Sequence, residues 1–290
     1  MTLLRILDPG RASAPAGTGA RRSRRVGVAD WLAIAFLGLV AVAIAAPGVL
    51  TPYDPLEASP GNTLLPPSPE HVFGTDYLGR DLYTRVVHGA GRTLFASLVA
   101  VVIGLGVGSL LGLFAAYFGR AVDLGVSRLV DVLLSIPGLL LSMVVVVALG
   151  FGSINAAIAV GVASVATFAR LMRSEVLRVR GLGFVEAAHH LGASPAEVLF
   201  RHVLPNSYGP VLSMTAMQFG GSILWIAALS FLGYGAPPPL PEWGLLVAEG
   251  REYISSSPWL AIFPGAVIAL TVVSISRASG LVGAARNETK

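Results

Sequence analysis

Glu186-Ala187-Ala188-His189-His190-Leu191-Gly192-Ala193-Ser194-Pro195 is a polar stretch between two long apolar segments, and it runs on to His202-Val203-Leu204-Pro205-Asn206. A polar stretch so flanked belongs in water at a membrane face. Its residues predict a helix over 186–191, ended at Gly192 by the left-handed conformation that glycine tolerates best. Ser194-Pro195-Ala196-Glu197 then has the form of a capping box, with Ser194 as N-cap, Pro195 at the first helical position and Glu197 reaching back. A second short helix should follow, with Val198, Leu199 and Val203 as its apolar residues, until Pro205 stops it. Two short helices joined at a fixed glycine angle form a rigid knob, which could fit a partner's groove.

The surrounding chain is built for lipid. Of its 290 residues 54% are hydrophobic and only 12% charged, and the mean hydropathy is +0.74. Soluble domains carry about 25% charged residues, so a membrane-embedded protein is indicated. There is no cysteine, which excludes a disulfide framework and a thiolate metal site. The net charge is +4, but the basic residues fall at the ends of apolar segments, which excludes a nucleic-acid patch.

Working outward, residues 1–27 hold six arginines amid Ala, Gly, Ser and Pro, and predict a disordered cytosolic tail. Trp31 to Leu50 is an uncharged run long enough to span; its length favours a retained anchor over a signal peptide. Residues 51–70 are proline-rich. From Asp76 a capped helix is expected on the outer surface, with Leu78, Leu82 and Val86 on one face and an Asp81–Arg85 pair on another. Either a mere connector or contact with a substrate-delivery protein would account for it. Thr93 to Phe118 is the second span, and Gly104, Gly108 and Gly112 within it have the spacing of close helix packing rather than of a phosphate loop. Leu129 to Leu149 is the third, kinked or opened at Pro137-Gly138 as pore lining or packing requires. Ile154 to Leu171, Pro210 to Tyr234 and Trp259 to Ser276 complete six, the last bent at Pro264. The prolines of 237–241 place that segment in water or at the outer headgroups, with Trp243 suited to the interface. The chain thus divides into a cytosolic tail (1–27), a first span with its outer segment and interfacial helix (28–92), a five-span core carrying the cytosolic loop 174–207 (93–276), and a cytosolic C-terminal tail (277–290).

Three signatures carry a resemblance. Glu186-Ala187-Ala188, Gly192 six residues after the glutamate, and Leu204-Pro205 together resemble the cytoplasmic loop of the inner-membrane permease subunits of bacterial ABC importers. His71-Val72-Phe73-Gly74-Thr75-Asp76-Tyr77-Leu78-Gly79-Arg80-Asp81 resembles a second signature, found in the dipeptide and oligopeptide branch of these permeases. Ser230-Phe231-Leu232-Gly233-Tyr234-Gly235 with Pro237-Pro238-Pro239-Leu240-Pro241-Glu242-Trp243-Gly244 resembles a third. Asp131-Val132-Leu133-Leu134-Ser135-Ile136-Pro137 is also similar to a family sequence. The tail after Ser276 departs from the family, lacking its Gly-Asp and Arg-Asp pattern.

The resemblance implies an all-α, six-helix membrane protein of the type I ABC importer permease fold, in the bacterial inner membrane. It implies a heterodimer with a homologous permease, two subunits that use ATP and Mg, an extracytoplasmic peptide-binding protein, surrounding lipid, and dipeptides or short oligopeptides as substrate. Coupling to the ATPase would rest on Glu186, Ala187, Ala188, Gly192, Ser194, Pro195 and Pro205. Glu186 would supply a polar contact or local cap, the alanines close docking, and Gly192 the turn. A nickel-chelate or other small-solute importer shares these signatures. A membrane scaffold or receptor component would explain the spans but not the knob.

Orientation and energy source follow from the residues themselves. With both termini inside, sixteen of the twenty Lys and Arg lie on the cytosolic side; only Arg80, Arg85, Arg92 and Arg251 lie outside. The central part of each expected span lacks Asp, Glu, Lys, Arg and His, which gradient-driven transporters usually carry there. No Gly-x-x-x-x-Gly-Lys-Ser/Thr loop exists, so the chain should bind neither ATP nor another cofactor. Glu186-x-x-His189 is half of a di-iron spacing without a second copy, which leaves His189 and His190 as surface residues. Gln218 and Ser135 are the polar candidates for a substrate path whose lining is otherwise open.

Overall fold

A computed structural model of the chain describes residues 27–288. The tail expected over 1–27 lies, apart from Gly27, outside the described residues, as do Thr289 and Lys290. The helices are α1 (Val28–Ala45), α2 (Pro47–Leu50), α3 (Leu82–Phe118), α4 (Arg120–Ser135), α5 (Gly138–Leu149), α6 (Ser153–Arg180), α7 (Gly183–His190), α8 (Pro195–Glu197), α9 (Leu204–Phe231), α10 (Trp243–Arg251) and α11 (Trp259–Glu288). Among the described residues no strand forms beyond one isolated bridge, Thr75 to Asp81. Among the described residues five helical stretches are long and apolar enough to cross a bilayer, and α4 with α5, bent by 97° at the break between them, brings the number to six when the pair is taken as one span.

The centre of the fold is α3 against α6. A methyl on Gly104, Gly108 or Gly112 would overlap Ser164, the carbonyl of Val165 or the carbonyl of Ala169. The stripe therefore brings two backbones together, as its spacing predicts. Helix α6 runs nine residues past the end expected at Leu171, and α11 runs on past Ser276. Asp30 at the start of α1 and Arg277 of α11 approach to 3.3 Å.

Several expectations need correction. No helix starts at Asp76. Gly79 adopts φ +77, against the backbone of Ser59, and the Asp76 carboxylate accepts from the N–H groups of Leu78 (2.9 Å) and Arg80 (3.0 Å) in a closed turn. The helix begins after Asp81, which caps it by accepting from Thr84 N at 2.7 Å, and it continues unbroken as α3. Nor does Arg85 pair with Asp81. Its Nη1 lies 2.6 Å from Asp76 and 2.8 Å from Glu249 of α10, while Asp81 faces His71 at 2.9 Å. Arg80 joins at 2.7 Å from Asp76, and the cluster is almost wholly buried, pinning the segment before α3 onto α10.

Trp243 is not an interfacial residue. It is 1% exposed, its indole donating to Val86 O at 2.8 Å and its backbone N to Thr93 Oγ1 at 3.1 Å. Helix α9 ends at Phe231, just before Gly233 at φ +87, and residue 243 begins α10, which packs on α3, α9 and α11. Burial pushes the Glu242 carboxyl above the usual carboxylate range, opposed by the Ser230 hydroxyl at 2.7 Å and by the N–H groups of Ala236 and Gly244.

The third span is broken rather than kinked. Proline at 137 lacks an N–H and disfavours helical backbone at Ile136, so α4 stops at Ser135 and α5 restarts at Gly138. Pro205, by contrast, stops nothing: α9 runs through both Pro205 and Pro210. Residues Val198–Val203 wind as a wide π turn just before it. That wider turn relaxes the contact a proline ring otherwise makes with the carbonyl four residues back.

Candidate functional site

The loop between α6 and α9 folds as the expected knob, with differences in detail. Gly192 takes φ +86, its N–H donating to His189 O (3.1 Å) while Ala193 N donates to Ala188 O (3.1 Å). This is the glycine-terminated helix end in which two otherwise orphaned carbonyls are satisfied. Ser194 accepts from Glu197 N at 3.2 Å, and Pro195 opens α8. Glu197 does not reach back; its carboxylate pairs with Arg201 at 3.3 Å, so only half of the capping box forms.

The knob is fastened from beneath. Val185, Val198, Leu199 and Val203 share one buried cluster with Val176 and Val179 of α6 and with Leu113 and Ala116 of α3. Ala188 and Ala193 pack on that cluster, so Ala188 faces the chain's own core. Glu186 and Ala187 are exposed, and the Glu186 carboxylate has no hydrogen-bond partner among the described residues. His189 and His190 are exposed as expected, and Pro205 is exposed at the base. The outer face of the knob also shows Phe184, Phe200 and Leu191, the last 88% exposed. Sequence reasoning misses these three. Large apolar residues in a polar loop, beyond those needed for its own core, are the available signal.

A second feature lies in the membrane-spanning part. A cavity of 320 Å³ opens between α3, α6, α9 and the break separating α4 from α5. Gln218 is on its wall, together with Ser164, Thr167, Ser222 and Trp225. Ser135 is not; its exposed hydroxyl donates to Val132 O at 2.7 Å. Gly138 at the break leaves the space that the Trp225 ring occupies, where a methyl would collide with the ring. No group of three or more His, Cys, Asp or Glu among the described residues is arranged to hold a metal.

The sequence matches, over residues 108–285, the family described as binding-protein-dependent transport system inner membrane component. It is 42% identical over 243 residues to the dipeptide transport system permease protein DppC of Alkalihalophilus pseudofirmus, covering 84% of this chain and 80% of that one. To the glutathione transport system permease protein GsiD of Pectobacterium atrosepticum it is 40% identical, covering 72% and 70% respectively. In fold it is similar to a chain of the inward-facing MetNI methionine ABC transporter. The TM-score is 0.58 at 19% identity, covering 68% of this chain and 94% of that one.

Proposed function

Since the chain belongs to the binding-protein-dependent transport system inner membrane components, we propose that it is a permease subunit of an ATP-driven importer of dipeptides or short oligopeptides. The observation that carries this is identity of 40% or more, over most of the chain, to permeases named for dipeptide and glutathione transport. The six spans, one of them broken beside an uncharged cavity, supply half of a path through the bilayer. A homologous permease completes the path as a heterodimer, and an extracytoplasmic binding protein delivers the peptide.

The energy comes from two partner subunits that use ATP and Mg; this chain binds no cofactor. Its knob sits in the cytosol and engages them. Glu186, whose carboxylate has no hydrogen-bond partner among the described residues, supplies a polar contact, and Phe184, Leu191 and Phe200 supply apolar area. Gly192, Ser194, Pro195 and Pro205 hold the angle at which Ala187 meets the groove, with Ala188 seated beneath.

The test is uptake of labelled dipeptides, longer peptides and a nickel chelate by a deletion strain complemented with this gene and its partner genes. Peptide uptake that stops when the ATPase sites are disabled is expected. Uptake of nickel alone, or peptide uptake driven by a proton gradient without ATP, would overturn the reading.

A further inference from the structure

We infer that Gln218 is the residue of this chain that reads the peptide backbone, in a chamber to whose wall the chain brings no charge with which to sort peptides by their side chains. The inference rests on the peptide reading above and adds a specificity determinant to it. None of the cavity-lining residues is Asp, Glu, Lys, Arg or His. A peptide's ammonium, carboxylate and charged side chains therefore meet no counter-charge from this chain's wall, and its part in recognition is left to dipoles and shape.

The polar groups on the wall are unequal. The Ser164 hydroxyl already donates to Gly161 O at 2.8 Å. The Ser222 hydroxyl already donates to Phe219 O at 2.8 Å and lies 3.3 Å from Ser97 O. Both donors are spent on backbone carbonyls within the chain. The amide of Gln218 is half-buried and makes no hydrogen bond to any described residue. A primary amide offers N–H donors and a carbonyl acceptor side by side on a flat group, the complement of a peptide unit's own C=O and N–H. The Thr167 hydroxyl, also unspent, adds one donor and acceptor on α6, and the Trp225 indole adds apolar area and one N–H. A site that reads the backbone through one amide accepts many side chains, which suits a path serving a whole class of peptides.

The experiment compares uptake of labelled lysyl-alanine and glutamyl-alanine by the complete complex in cells lacking other peptide uptake. Wild type is set beside Gln218→Glu, Gln218→Lys and Gln218→Leu at matched expression and co-purification. Gln218→Glu should shift the lysyl-to-glutamyl ratio upward by about fivefold, the scale of a water-screened contact between unit charges. Gln218→Lys should shift it downward by a similar factor. Gln218→Leu should raise KM for both peptides in parallel and leave their ratio unchanged. An unchanged ratio in both charged variants, with normal ATP-driven uptake, overturns the inference and leaves the proposed function standing. Loss of the partner permease on co-purification of all three variants also overturns it, by making Gln218 an assembly residue. Failure of the wild-type complex to take up any peptide overturns the proposed function and this inference together.

Discussion

Gly192 has open space around it: beyond its own two chain neighbours, no atom lies within 4 Å of where a Cβ would stand. A side chain there costs only what the backbone conformation costs. At φ +86 that is about 1–2 kcal/mol for an ordinary residue and more for a β-branched one. Such a sum is too small to disturb spans packed through the shared core beneath, and the knob can shed it by changing the angle between α7 and α8. Gly192→Val should therefore insert and pair with its partner permease normally. ATP-driven uptake should fall about tenfold, the rate equivalent of ~1.4 kcal/mol, with Gly192→Ala affected less. Uptake measured beside co-purification of the ATPase subunits checks this. Normal uptake by Gly192→Val would show that the angle of the knob is not what couples it. Glu186→Ala should also lose uptake, because among the described residues the carboxylate has no hydrogen-bond partner and is left for the ATPase subunit.

Between helices, the same residue type acts through contact rather than conformation. A methyl on Gly108 would stand 2.5 Å from the carbonyl oxygen of Val165 and 2.7 Å from Phe168 Cβ, whereas one on Gly106, two residues away, would meet open space. Gly108→Val must push α3 off α6, because backbone atoms cannot turn aside. Overpacking of this kind costs about 1–3 kcal/mol. The purified complex should melt at a lower temperature with Gly108→Val and at an unchanged temperature with Gly106→Val. Equal melting of the two would remove the stripe as a packing device. This pair also shows what is legible in the sequence. A spacing of four along a helix is a local pattern, so the stripe, the glycine turn and the Ser194 cap can all be read directly. Arg85, Asp76 and Glu249 meet only because α10 folds beneath the end of α3, and no local pattern joins residues so far apart in the chain. Trp243 is misread from sequence for the same reason. Its aromatic ring suits an interface, and only the tertiary fold supplies the Val86 carbonyl that satisfies its indole in the interior. The cavity is legible only as the isolated polarity of Gln218, since its other walls come from three separate stretches of chain.

At the scale of the whole molecule, the arginine asymmetry predicts a direction in the membrane, with both termini inside. Reporter fusions at residues 60 and 247 should report the extracytoplasmic side, and fusions after residues 120 and 190 the cytosol. A cytosolic signal at 247 would remove the arrangement of spans proposed for this chain. The same dimension gives α3 a mechanical character. Its 37 residues make a rod of about 55 Å, nearly twice the ~30 Å hydrocarbon thickness. The N-terminal end is clamped by Arg85, and the C-terminal end by Arg180, which donates to the carbonyl of Ala116. With the glycine stripe fastening it to α6, the pair would move as one plank. Rocking that plank by about 10° around its centre carries each end through about 5 Å in opposite directions. A push at the N-terminal end of α3 would then arrive at the root of the knob as a displacement of the opposite sense, delivered by leverage.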